Sequence, residues 1–348
     1  MKKILAVLLA ATTIFSLTAC TSKPAEPSPS SAEPDASVAS TPAPEAKVNK
    51  VIAGVVFQED QFFKLLSAGY AAAAKDLGYE IKLANTVNDQ AKETEFVNTY
   101  AAEKIAGIAI SPLSVDVSVA PLQAAHEAGL KVSICNSQLE AFPFASAVFT
   151  SDDTAFCRQT GDVAAKFIKD NLGGKAKVGI VQFKTQVPEQ SIARVKGFTD
   201  GLDAAGIDYE IVTDQDAWLQ DMAVAKAGDM LSANPDINVI FCANEGGTVG
   251  TTMAVDNAGL AGKVFVFGTD SSEQIVDLLK SDKNILQAVT GQDPFAIGYN
   301  TVKALVEDIE GKAITGGGQK NIVPGVPLSR ADVAGLDAFL ADLKVKMG

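Results

Sequence analysis

Asp60, Phe62 and Phe63 stand just after residues 51–57, a continuous apolar run with the length of a parallel strand covered on both faces. The same placement recurs down the chain. Ser111 follows the run 105–110, Asn136 follows 132–135, and Gln190 closes the polar segment after 177–183. Trp218 ends the segment after 209–212, and Asn244, Asp270 and Gln292 follow the runs 239–243, 264–268 and 286–290. In open parallel sheets, ligands bind outside the carboxyl ends of the strands, where loops lead into helices. The set is amide, hydroxyl and carboxylate groups with three aromatic rings. That combination suits a small polyhydroxylated molecule such as a sugar. Each hydroxyl both donates and accepts, so Asp, Asn and Gln satisfy it, and the C–H faces of the ring lie flat on aromatic side chains in a small pocket.

Simpler roles compete for several of these residues. Asp60 can cap a helix starting near Phe62, and Asp270 can merely precede a cap at Ser271. Phe62 and Phe63 are neighbours, so on a helix they point about 100° apart and at least one packs in the core. Trp218, the one tryptophan, sits in a polar loop between Asp216 and Gln220. Glu245-Gly-Gly-Thr248 lacks both the dinucleotide fingerprint and the lysine of a phosphate loop, and reads as a turn into a helix. His126 reads as a solvated residue on a polar helix face, and Gly316-Gly-Gly318 as a flexible turn.

The elements that position these residues alternate in two series. In the first, strands at 51–57, 80–84, 105–110 and 132–135 are separated by helices at 62–77, ended by Gly78, then 91–103 and 121–128; a strand at 147–150 leads away. In the second, Asp153 caps a helix to residue 171. Strands at 177–183, 209–212, 239–243, 264–268 and 286–290 then alternate with helices at 192–205, 221–231, 248–258 and one capped by Ser271 with Gln274 in the capping-box position. The last long helix spans 295–309. Such alternation specifies an α/β protein of two doubly wound parallel-sheet lobes, with right-handed crossovers placing helices on both sheet faces.

Composition narrows the function. The formal net charge is −13 with no basic cluster, which excludes nucleic acid and anionic membrane surfaces as partners. With a single histidine and no Cys-x-x-Cys pair, a Cys/His metal site is not expected, and nothing calls for a cofactor. Cys135, Cys157 and Cys242 lie in apolar contexts and read as buried free thiols, although a disulfide between two of them remains open. At the N-terminus, Lys2 and Lys3 precede a short apolar stretch ending in Leu17-Thr18-Ala19-Cys20. This resembles a bacterial lipoprotein signal, implying removal of residues 1–19, a lipid on Cys20, and a mature chain held at the extracytoplasmic face of the cell membrane by that anchor alone. Six of the 14 prolines lie in residues 21–48, so residues 20–49 are expected to be an extended, disordered tether.

Beyond residue 50 the chain resembles the ribose- and galactose-type sugar-binding proteins of the type I periplasmic-binding fold, the substrate-binding lipoproteins of bacterial ATP-binding-cassette importers. The resemblance is carried by Gln61-Phe62-Phe63, Leu77-Gly78-Tyr79 and Ile110-Ser111-Pro112. Further on it is carried by Arg194-Val-Lys-Gly197-Phe198, Phe241-Cys-Ala-Asn244-Glu245, Phe267-Gly-Thr-Asp270 and Gln292-Asp293-Pro294. It implies a three-segment hinge near Ser151, Gln292 and Pro324, with residues 50–151 and 293–324 in one lobe and 152–292 and 325–348 in the other. It implies a wall of Asp60, Phe62, Phe63, Ser111 and Asn136 facing Trp218, as a stacking ring, with Asn244, Asp270 and Gln292. The implied function is capture of a pentose, hexose or polyol by a monomeric receptor that docks on the permease's transmembrane subunits. Handing a ligand signal to a membrane histidine kinase, or carrying a nucleoside or autoinducer, are the alternatives. An enzyme is disfavoured by the absence of a catalytic-serine elbow or paired metal ligands, and a repressor by the absence of an N-terminal DNA-binding helix-turn-helix. The chain departs from the ribose type where that group carries Asp-Arg, since it has Asn136-Ser137, and at the second sugar-contacting Arg, where it has Ile192. Losing both guanidinium forks removes bidentate recognition of hydroxyls, which argues against plain ribose unless Arg194, Gln190 or Lys184 compensates.

Overall fold

Continuous apolar runs and glycine-ended helices fold as their pattern demands. The computed structural model describes residues 49–137 and 142–347. The expected signal peptide, Cys20 and nearly all of the tether lie outside the described residues. The first lobe is built from β1 (Val51–Val56), α1 (Gln61–Leu77), β2 (Glu80–Asn85), α2 (Gln90–Ala102), β3 (Gly107–Ile110), α3 (Val115–Glu127), β4 (Lys131–Cys135) and β5 (Val148–Thr150). The chain then enters the second lobe with α4 (Asp153–Asn171), β6 (Lys175–Gln182), α5 (Pro188–Ala204), β7 (Asp208–Asp216), α6 (Gln220–Ala233), β8 (Val239–Cys242), α7 (Glu245–Asn257), β9 (Phe265–Thr269), α8 (Glu273–Lys280) and β10 (Leu286–Gly291). It returns with α9 (Pro294–Ile309) and β11 (Lys320–Ile322), and crosses once more to β12 (Val326–Ser329) and α10 (Val333–Met347).

Each lobe has one six-stranded sheet, in the orders β2-β1-β3-β4-β5-β11 and β7-β6-β8-β9-β10-β12. All described pairings are parallel except β10 with β12. The chain therefore passes between sheets three times, after Thr150, after Gly291 and after Ile322. Both lobes lie in one compact unit, Lys47–Gly348. Each sheet is covered on both faces. In the first lobe, Leu66, Tyr70, Ile297 and Leu305 fill one side and Ile108, Ile110, Leu122 and Val132 the other. In the second lobe, Val181, Ile240 and Val266 face one cluster and Phe198, Phe241 and Phe267 the other. α10 packs on β12 and α8 and also touches α1 of the first lobe. Its Lys346 Nζ lies 3.5 Å from Asp293 Oδ1 and 5.1 Å from the centroid of the Phe295 ring.

Several local expectations need correction. The helix expected at 121–128 begins at Val115 and carries Pro121 inside it. The added turn is held from outside, because Ser118 donates to the buried carboxylate of Glu93. Asp152, not Asp153, caps α4, accepting from Ala155 N at 2.9 Å, and Ser272, not Ser271, caps α8. Glu245-Gly-Gly-Thr248 is not a turn but the first turn of α7, because Asn244 takes the extended cap geometry and accepts from Gly247 N. β11 and β12 are too short to show a period, and α10 buries only Leu336, so no apolar stripe announces it. His126 is half-buried in the last turn of α3, its ring 6.2 Å from that of Phe144 and its Nδ1 without a hydrogen-bond partner among the described residues, rather than solvated on a polar face.

The three described cysteines are buried free thiols. Burial pushes Cys135 and Cys242 up to about 12, so neither ionises, and the Cys135 sulfur lies 2.8 Å from the Tyr70 hydroxyl. α4 and α5 cross at glycines. A methyl at Gly201 would stand 2.6 Å from the Gly161 carbonyl carbon, and one at Gly161 would run into the Phe198 carbonyl oxygen. Backbones that close admit no side chain between them. Gly161→Ala should therefore cost roughly 1–3 kcal/mol by overpacking, read as a lower urea midpoint at unchanged slope; an unchanged midpoint would show that the helices separate freely.

Candidate functional site

The carboxyl ends of both sheets face each other across a cavity of about 570 Å³. On the first lobe the loop after β1 supplies Phe57, Gln58 and Asp60. Asp60 caps α1, accepting from Phe63 N at 3.1 Å, and the same carboxylate lines the cavity. Phe63 is buried between Phe57, 4.4 Å away by ring centroid, and Phe62, which meets it edge-on at 5.1 Å. The buried ring thus braces the half-exposed Phe62 at the cavity wall. After β4, Asn136 adopts φ 51°, a left-handed conformation that asparagine tolerates, and its Nδ2 lies 3.3 Å from Ser111 Oγ. Ser111 is fully buried beneath it and does not line the cavity.

The second lobe supplies Phe183 past the end of β6, Gln190 and Arg194 of α5, Asn244 and Glu245 at the start of α7, Asp270 after β9 and Gln292 after β10. Arg194 is the centre of this wall. Its Nε donates to Asp153 Oδ1 at 2.9 Å and its Nη1 to the Ala243 carbonyl at 2.9 Å. Nη2 reaches Gln292 Oε1 at 3.4 Å, and Asp270 Oδ1 lies 3.6 Å from Nη1. The guanidinium also stands 5.1 Å from the Phe156 ring centroid and 5.3 Å from that of Phe183. Burial disfavours the charge, but Asp270 and Asp153 more than offset this and hold the group above its ordinary range. Asp270, at φ 71°, turns its other oxygen to the Glu245 N–H at 2.9 Å.

Of the ten residues singled out in the sequence, the cavity brings together Asp60, Phe62, Phe63, Asn136, Gln190, Asn244, Asp270 and Gln292. Trp218 is outside the lining. Its ring packs half-buried against the second-lobe core that contains Phe183, and its carbonyl accepts from Asn244 Nδ2 at 2.8 Å. The aromatic ring that the second lobe turns to the cavity is Phe183. Sequence reasoning assigned Phe183 to the end of its strand and Glu245 to a turn. The strand's own carboxyl end was the signal for the first, and the helix N-terminus for the second.

Arg194 does not replace the missing guanidinium forks, since four protein groups already occupy it. Lys184 is paired with Asp214, and Ile192 is exposed and does not line the cavity. Among the described residues no group of three or more His, Cys, Asp or Glu side chains is placed to hold a metal ion. Desolvation raises both Asp60 and Glu245 from their ordinary values of 3.8 and 4.5, with Asp270 adding to each and Ser272 opposing at Glu245.

Two outcomes test this arrangement. Arg194→Leu takes the ion pair from the buried Asp153 and should cost roughly 3–5 kcal/mol of stability, part of which Asp153→Asn restores in the double variant; additive losses in denaturant unfolding would disprove the pairing. Glu245 titrates higher folded than unfolded, so the folded state binds the proton more tightly. Its contribution to stability is intact below 4.5 and is lost as pH rises through the raised value. Glu245→Gln, which keeps an acceptor for Ser272, should melt higher than the parent at pH 7 and equal it near pH 4. Parallel melting curves across that range would contradict the assignment.

Residues 54–313 match the periplasmic binding protein domain family. The ABC transporter periplasmic-binding protein YphF of Escherichia coli K12 is 27% identical over 271 residues, 75% of this chain and 82% of that one. The ribose import binding protein RbsB of Bacillus subtilis is 26% identical over 315 residues, 90% of this chain and 95% of that one. A solute-binding protein from Actinobacillus succinogenes 130z, solved with bound D-allose, superposes with a TM-score of 0.71 at 22% identity, covering 82% of this chain and 98% of that one. That likeness establishes the fold of two α/β lobes. Joined to the match over residues 54–313, it identifies the chain as a member of the periplasmic binding protein family.

Proposed function

We propose that the protein is an extracytoplasmic receptor that captures a small sugar or related polyol between its lobes and delivers it to an ATP-binding-cassette importer. The observation that carries this reading is the interlobe cavity itself, with Phe62 and Asn136 on one lobe and Asn244, Asp270, Gln292 and Phe183 on the other. Hydroxyl partners and flat apolar faces on both walls mean that neither lobe alone can satisfy the ligand. A ligand bound to both therefore stabilises the closed form, and the closed form is what a permease recognises. Relatives named for ribose and D-allose, and fold neighbours solved with D-allose and D-arabinose, point to the same ligand class.

The receptor acts as a monomer, performs no chemistry on its ligand, and is held at the membrane by a lipid on Cys20. Support for the anchor is the Leu17-Thr18-Ala19-Cys20 sequence; no described helix is long and apolar enough to cross a membrane. The test is a thermal-shift screen over pentoses, hexoses and polyols followed by calorimetry. A cognate ligand at about 100 times its dissociation constant stabilises the folded state by roughly 2.7 kcal/mol, a rise of several degrees. Asp270→Asn and Phe62→Ala should each weaken binding by roughly 1–3 kcal/mol. No shift from any compound in the screen would overturn the reading.

A further inference from the structure

The charge of the cavity narrows the ligand further than its shape does. Among the described residues, four carboxylates line it, Asp60, Glu189, Glu245 and Asp270, against one cation, Arg194. That cation is spoken for: Asp153 beneath the cavity floor pairs with it at 2.9 Å, and Asp270 lies 3.6 Å from it. Asp60 and Glu245 form no ion pair among the described residues. No lysine among the described residues lines the cavity; Lys344 of α10 shares an adjoining depression with Glu245 and Glu273 but bonds to neither.

The uncompensated charges stand on opposite lobes, Asp60 on the first and Glu245 on the second, while Asp270 is paired with Arg194. Closing the cleft brings like charges together while water leaves, which costs most where the dielectric is lowest. A neutral sugar donates hydroxyl hydrogen bonds to such carboxylates but leaves the charge where it was. A ligand with a positive charge cancels it, and the two aromatic walls, Phe62 and Phe183, favour a cation over an anion. The carboxylates are too dispersed to hold a metal ion. Phosphorylated sugars and sugar acids would add to the repulsion.

We propose that the cavity takes a polyhydroxylated ring bearing a protonated amine, an amino sugar or amino-substituted polyol, with Asp60 and Glu245 as the carboxylates that receive the ammonium group. The proposal rests on the sugar-receptor reading and sharpens it. Burial raises both Asp60 and Glu245, and the neighbouring Asp270 adds to each.

Calorimetry on the purified full chain, in slightly acid buffer, would compare glucosamine, galactosamine and mannosamine with glucose, galactose and mannose and with the N-acetylated amines. The last keep the nitrogen and lose the charge. A charge-assisted hydrogen bond predicts that at least one amine binds roughly tenfold to a hundredfold more tightly than its neutral parent and its N-acetyl form. Asp60→Asn and Glu245→Gln, which keep hydrogen-bonding capacity, should each shrink that ratio while leaving the neutral parent's affinity less affected. A neutral sugar that binds as tightly as every amine would overturn the proposal and leave sugar capture standing. Failure of all the amines, parents and N-acetyl forms, together with the wider pentose and polyol screen, would overturn sugar capture itself.

Discussion

A single buried guanidinium organises the second lobe. Arg194 reaches from α5 to the head of α4 through Asp153, to the end of β8 through the Ala243 carbonyl, and to the loops after β9 and β10 through Asp270 and Gln292. These are the points at which a doubly wound sheet presents side chains to a ligand. Holding a charge out of water is costly, and the cost is met only when every donor finds an acceptor. Arginine suits the position because its planar fork carries five donors in fixed directions, so one residue fixes the mutual placement of several strand ends. A lysine would hold a point, not a plane.

The first lobe reaches a comparable rigidity by different means. The buried Phe63 is held between Phe57, tilted against it, and Phe62, edge-on to it, and Asp60 locks the start of α1 beside them. Helix pairs within the lobes approach until backbone meets backbone, as at Gly161 and Gly201. Close-packed interiors do not deform continuously. The two lobes are joined by three crossings of the chain, and rotation about such joints is one of the ways in which two-lobed proteins close on a ligand.

Much of this was legible in the chain because parallel strands buried on both faces read as unbroken apolar runs, and the residue after each run is where chemistry belongs. That rule located Asp60, Asn136, Asp270 and Gln292 without any structure. It failed where two candidates stood side by side. Asp152 and Asp153 are the same residue type in adjacent positions, and only the backbone decides which caps the helix and which turns inward to Arg194. Trp218 shows a different limit, since the family resemblance implied a stacking ring there, yet the ring packs against the second-lobe core. β11, β12 and α10 left no trace in periodicity because their stability comes from the partners they add to and not from a stripe of their own.

α10 gives the joint a mechanical property. It is rooted on β12 and α8 but leans on α1, and Lys346 spans to Asp293 at one of the crossings while its ammonium faces the Phe295 ring. A helix seated on one lobe and touching the other is a strut across the joint. Any rotation of one lobe against the other has to slide or break its contacts with α1. The free energy of that rearrangement enters the affinity of any ligand held by both lobes. Affinity is in this way written partly into residues that never meet the ligand.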